Sequence, residues 1–127
     1  MKPPTIPTWL TRDFIRAHPE IIFVFGDNLR ETGNAGQAGV CRGMTNCYGV
    51  PSKKLPCMKD EAFYRDVEFE LINKPSIDTA IAKIPLDGRF IYVIPNIGKG
   101  FAQCDWRAPL TFKYLTEQLT KLEMNNI

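Results

Sequence analysis

Two stretches of this chain hold the residue types that phosphate chemistry uses. The first is Gly26-Asp27-Asn28, continued by Gly33-Asn34-Ala35-Gly36-Gln37-Ala38-Gly39. The second is Pro95-Asn96-Ile97-Gly98-Lys99-Gly100, continued by Phe101. Glycine lets a ligand come close to main-chain N–H groups, because no Cβ stands in the way. A helix that begins just after such a loop adds partial positive charge suited to phosphate. Lys99 between two glycines has the form of a phosphate cradle, although a tight turn uses the same residues. Asp27 and Asn28 offer acceptors and donors for a sugar hydroxyl or a base edge; both types also close turns. Asp27 is the carboxylate placed to orient or activate water. Gly36, Gly39 and Gly43 recur at helical spacing, so Gly39 and Gly43 serve close helix packing equally well.

These loops depend on the elements before and after them. Ile21-Ile22-Phe23-Val24-Phe25 is a continuous apolar run, which predicts a strand buried on both faces and ending at Gly26. Residues 90–94 (Phe-Ile-Tyr-Val-Ile) predict a second strand that runs into Pro95. Helices are expected over 8–18, closed by Pro19, and over 35–44. A third starts at Pro75, with Ile77, Ala80, Ile81 and Ile84 on one face. The last starts at Pro109, carries Leu110, Phe112, Tyr114, Leu115 and Leu119, and ends frayed at 125–127. Residues 46–50 predict a short strand stopped by Pro51, and residues 52–59 a polar loop. Residues 61–72 read as helical or irregular, and residues 3–7 as a stiff extended lead-in. Strands separated by helices imply parallel pairing, hence one α/β domain with a small, mostly parallel sheet flanked by helices. In such sheets ligands bind outside the carboxyl ends of the strands, where both glycine loops fall.

Composition narrows the partners. Sixteen basic against fourteen acidic residues leave a net charge of +2, which gives no electrostatic reason for duplex DNA or an anionic membrane. Cys41, Cys47, Cys57 and Cys104 lack the short spacing of a zinc site, and His18 is the one histidine, so no metal or cofactor is expected. With Met1-Lys2-Pro3-Pro4 leading straight into polar sequence, a cytoplasmic protein with free thiols is expected. A Cys–His nucleophile is disfavoured, since His18 falls at a helix end away from Cys41 and Cys104. Lys53 and Lys54 follow Pro51-Ser52 in a loop that could reach the same rim, with solvated charges the favoured reading. Phe101 and Trp106 flank the second loop, as stacking platforms or as anchors.

Taken in order, Phe25-Gly26-Asp27-Asn28-Leu29, Gly33-x-x-Gly36-Gln37-Ala38, Gly49-Val50-Pro51-Ser52-Lys53 and Pro95-Asn96-Ile97-Gly98-Lys99-Gly100 form a pattern. It resembles a group of small proteins common in bacteriophage genomes, itself similar to compact, divergent macro domains, which bind ADP-ribose. The resemblance spans roughly residues 20–122. It implies a macro-domain-like three-layer fold, with Asn28 at the distal ribose, Gly33 to Ala38 along the pyrophosphate, and Ile97-Gly98-Lys99-Gly100-Phe101 wrapping the phosphates. The chain is shorter than a typical macro domain, and the aspartate that meets adenine there has no clear counterpart. Three functions follow. One is an ADP-ribose-like nucleotide bound without change, in the phage setting as sequestration of a host defence signal. Another is hydrolysis of an ADP-ribose derivative, and the third a protein-interaction surface with Tyr64, Phe69 or Trp106 exposed. Oligomeric state is not encoded in any of these features.

Overall fold

Five consecutive apolar residues on one strand need cover on both faces, and they receive it. In the computed structural model, which describes residues 4–126, β1 (Ile21–Asn28) lies at the centre of a parallel sheet. β2 (Cys47–Lys53) and β3 (Phe90–Val93) flank it, in the order β2-β1-β3. Side chains alternate between faces along a strand. Ile21, Phe23 and Phe25 therefore pack with Ile15, Ala38 and Cys41 from α1 (Arg12–Ala17) and α2 (Gln37–Cys41). Ile22 and Val24 pack with Val50, Ile77, Leu115 and Leu119 on the other side, under α3 (Lys74–Ala82) and α5 (Pro109–Glu123), the latter preceded by the single turn α4 (Cys104–Arg107). The result is three layers, helices on both faces of a small parallel sheet. Each side chain so buried contributes about 1.5–3 kcal/mol, which fixes β1 and its register.

Local chemistry sets the boundaries. α1 begins at Arg12 rather than residue 8, because the Thr11 hydroxyl accepts from Phe14 N at 3.1 Å and caps it there. α2 is shorter than the 35–44 expected, starting after Gly36 at φ 59. β2 runs through Pro51 instead of stopping before it. Phe23 N donates to Asn46 O at 2.9 Å while Phe23 sits opposite Cys47. That phase turns the main-chain groups of Tyr48 and Val50 toward β1, and those of Cys47, Gly49 and Pro51 outward. Pro51 thus stands on the free edge, where a missing N–H costs nothing.

Residues 61–72 are irregular: 3-10 turns at Asp60–Ala62 and Asp66–Glu68 lead through a π-helical turn, Phe69–Asn73, into α3. Tyr64, expected at the surface, is fully buried with its hydroxyl 2.6 Å from Ser76 Oγ. Phe69 is half-buried and meets Tyr114 edge-on. The Asp66 carboxylate accepts from Leu110 N and Thr111 N, both at 2.9 Å, and so caps α5 from a distant loop. The frayed end expected at 125–127 is tied down at Asn126. Its side-chain amide accepts from Ile91 N at 2.7 Å and donates to Ile91 O at 2.8 Å, closing the free edge of β3. Of the expected lead-in, residues 4–7 have no regular structure; Pro3, like Ile127, lies outside the described residues. Among the described residues no helix is long and apolar enough to cross a membrane.

Candidate functional site at the strand ends

The carboxyl ends of all three strands open into one cleft of about 480 Å³. Every residue singled out for ligand contact borders it. Gly26, Asp27 and Asn28 come from β1, Gly33, Gly36 and Gln37 from the loop after it, and Ile97, Gly98, Lys99, Gly100 and Phe101 from the loop after β3. Ser52, Lys53, Pro56 and Met58 form the wall on the β2 side. The motifs that lie apart in sequence are neighbours in space because β1 is central and both loops leave the sheet on the same side.

Several of these residues build the cleft from within. Gln37 Oε1 accepts from Gly26 N at 2.8 Å and its Nε2 donates to Pro95 O at 2.7 Å, clamping the end of β1 to the end of β3. Asn28 closes the following turn, accepting from Arg30 N at 3.0 Å and donating to Thr32 O at 2.8 Å. Asp27 does not fit the role of activating water. Its buried carboxylate is held in a fork by Arg42, Nη2 to Oδ1 at 2.6 Å and Nη1 to Oδ2 at 3.1 Å, and Oδ1 also accepts from Asn28 N. A carboxylate so occupied positions rather than abstracts protons. Arg42, absent from the sequence reading, also donates to Gly33 O at 2.8 Å and Thr32 O at 3.2 Å. It therefore fastens the glycine loop to the end of β1, and the Asp27–Arg42 hydrogen bond raises its own proton affinity further.

The glycines divide by cause. At Gly98 φ is +92°, and a Cβ would lie 2.9 Å from Phe112 of α5. At Gly36 and Gly100 φ is also positive, yet a Cβ would meet nothing within 4 Å. At Gly39 a Cβ would lie 2.5 Å from Asn34 O in the preceding loop rather than against the sheet, and at Gly43, where φ is +84°, it would meet nothing within 4 Å. Gly98→Ala is expected to cost about 2–4 kcal/mol, from backbone strain plus overpacking, and Gly100→Ala only about 1 kcal/mol. Urea unfolding of the two variants checks this; equal losses would refute the division. Among the described residues, the N–H groups of Gly33, Asn34, Ala35, Gly36, Gly98, Gly100 and Phe101 donate to no protein acceptor.

Lys53 is where the structure departs most from expectation. Far from being a solvated charge, it is 8% exposed. Its ammonium donates to Cys57 O at 2.8 Å, touches Met58 Sδ and lies over the Phe63 ring at 4.7 Å. Among the described residues no carboxylate pairs with it, and burial lowers its proton affinity. An ammonium has three donors, so one remains for an anion in the cleft. Lys54 instead pairs with Glu68 at 2.9 Å. No pattern in the sequence distinguishes these two lysines; only the pleat does, by turning one inward.

Phe101, 68% exposed, offers an apolar face at the cleft, with exposed Met58 on the facing wall. Trp106 lies outside the cleft lining, its ring under the Arg107 guanidinium. His18 is taken by Glu20 at 2.7 Å, while Cys104 is buried with its thiol pushed up to about 12 by desolvation. Cys41 and Cys47 pack in the same layer, and their interaction holds the Cys47 thiol low and the Cys41 thiol high. All four cysteines are free. Among the described residues no three His, Cys, Asp or Glu side chains gather as a metal site would need. A second cavity of about 560 Å³ lies between β2 and α3, and Asp27 and Asn28 border it too.

Fold and cleft define a three-layer α/β protein with a glycine-walled, cation-bearing pocket at the carboxyl edge of its sheet. The chain belongs to DUF7831, a family of unknown function whose model it matches over residues 5–118. Neither a search of curated proteins nor one of solved structures gave a match.

Proposed function

We propose that the strand-end cleft binds a phosphate-bearing nucleotide of the ADP-ribose kind and holds it unaltered. The observation that supports this reading is the buried Lys53 ammonium, which among the described residues has no carboxylate partner and borders a cleft walled by unpaired main-chain N–H groups. Burying an unpaired charge is costly, and an anionic ligand offsets that cost by supplying the missing counter-charge. Loop amides suit phosphate oxygens, which accept several hydrogen bonds at once. Phe101 and Lys99 at the rim add a ring face and a second cation. Binding is favoured over hydrolysis because Asp27, the one carboxylate lining the cleft among the described residues, is locked against Arg42. Such a protein acts by lowering the free concentration of its ligand, as sequestration of a signalling nucleotide requires.

The test is a thermal-shift panel of ADP-ribose, ADP, AMP, NAD and cyclic dinucleotides, followed by mass spectrometry of the ligand recovered after denaturation. At a hundredfold excess over Kd a ligand stabilises the fold by about 2.7 kcal/mol, several degrees in a domain of this size. A shift with intact ligand recovered is the expected result. A flat panel would remove the nucleotide reading, and a cleaved ligand would replace binding by hydrolysis.

A further inference from the structure

The cavity between β2 and α3 is the larger of the two, at about 560 Å³ against about 480 Å³. It follows the outer edge of β2, and it meets the strand-end cleft across Asp27 and Asn28. The sheet has two outer edges, and they are treated differently. Asn126 closes that of β3 by pairing with both main-chain groups of Ile91. Among the described residues nothing does the same for β2. The phase set by Phe23 N on Asn46 O turns Cys47 and Gly49 outward. Among the described residues the Cys47 carbonyl and the Gly49 N–H are therefore unpaired, and both residues line this cavity. Gly49 has no side chain to cover them, and none fits, since a Cβ there would lie 2.7 Å from Asp27 Oδ2. The opposite wall carries an apolar patch of Leu71, 88% exposed, Ile72 and Pro75, with Ser76, Thr79 and Lys83 further along it.

A carbonyl and an N–H two residues further along one strand edge face the same way. They form an acceptor beside a donor, next to an apolar wall. The complementary edge is an exocyclic amine beside a ring-nitrogen acceptor on a flat aromatic system. We infer that the β2–α3 groove is a base site that takes a 6-aminopurine, its amine donating to Cys47 O and its N1 accepting from Gly49 N–H. This rests on the proposed nucleotide reading for its neighbour: phosphates lie in the glycine-walled cleft, and the sugar crosses the Asp27–Asn28 boundary between the two cavities. Inosine is the discriminating analogue, because it presents a carbonyl and an N–H in place of the amine and N1 and reverses both contacts. A site that uses hydrogen bonds in this way rejects the wrong pattern strongly.

The experiment is a ¹⁵N–¹H titration of the whole chain with adenosine, with inosine and with inorganic pyrophosphate, read at the glycine amides. Adenosine is expected to move Gly49, with inosine leaving it in place at the same concentration, and pyrophosphate to move Gly33, Gly36, Gly98 and Gly100. ADP is expected to bind at least tenfold more tightly than pyrophosphate. Thr79→Trp, at an exposed α3 position lining the groove, removes that tenfold and leaves pyrophosphate binding as it was. An unmoved Gly49, equal shifts with adenosine and inosine, or an ADP affinity untouched by Thr79→Trp overturns the base site. Adenosine binding at Gly49 without any response to pyrophosphate upholds the base site and refutes the phosphate cleft.

Discussion

Arg42→Ala is expected to cost about 3–5 kcal/mol of stability, the usual penalty for stranding one member of a buried ion pair. The Asp27 carboxyl is 6% exposed and sits at the end of the central strand, with Arg42 covering both its oxygens. Removing the guanidinium leaves a mostly buried carboxylate without its two charged donors, and it also frees the carbonyls of Thr32 and Gly33. For a domain whose total stability is about 5–15 kcal/mol, that is a large fraction. Urea unfolding of Arg42→Ala, Asp27→Asn and the double variant separates the causes. The double variant is expected to be more stable than Arg42→Ala alone, because the stranded charge is gone. Additive losses would show that the two side chains act independently, and a loss under 1 kcal/mol in Arg42→Ala would show that the pair is solvated. Arg42→Lys retains charge but not the fork, so an intermediate loss is expected.

How much of this was legible beforehand depends on the length scale of the cause. The strand over Ile21 to Phe25 and the helices at Pro75 and Pro109 rest on local pattern, and they form as read. Both glycine loops were placed at the sheet's carboxyl edge by topology alone, and they border one cleft there. What local pattern does not carry is the partner. Gln37 was read as a ligand contact and is a clamp between Gly26 and Pro95, 58 residues apart for its farther bond. Asp27 was read as a chemical group and is a structural one, because Arg42 lies fifteen residues on across α2. Tyr64 enters the sequence reading only as an exposed candidate for a protein-interaction surface; packing against Ser76 and the α3–α5 face buries it. Pro51 was read as a strand stop. It is tolerated because β2 is an edge strand in one of two possible phases, a fact of register that composition does not encode.

Lys53→Met is expected to weaken anion binding sharply while leaving the protein at least as stable as before. The substitution keeps an unbranched, flexible side chain of similar length and removes a buried charge that no carboxylate among the described residues balances. At neutral pH the gain is about 1 kcal/mol or more, offset in part by the donor that Cys57 O loses. Its pH dependence carries the diagnosis. In the unfolded chain the amine keeps its proton to about pH 10.5, whereas burial makes the folded protein release it earlier. Below both values each state holds the proton and the folded chain bears the full desolvation cost. Between them the unfolded state binds more protons, so wild-type stability rises with pH through that window relative to the variant. The advantage of Lys53→Met should therefore be greatest near neutrality and shrink as pH approaches 10.5. A constant difference would mean the amine is solvated. The same charge is what an anion needs: losing one charge-assisted hydrogen bond of about 1.5–3 kcal/mol weakens pyrophosphate binding by roughly 10–100-fold. A variant that gains stability and loses the anion would identify Lys53 as a residue kept for binding against the interest of the fold. A variant that loses stability and still binds pyrophosphate would show that the ammonium belongs to the 57–58 loop and that the cleft draws its ligand by main-chain groups alone.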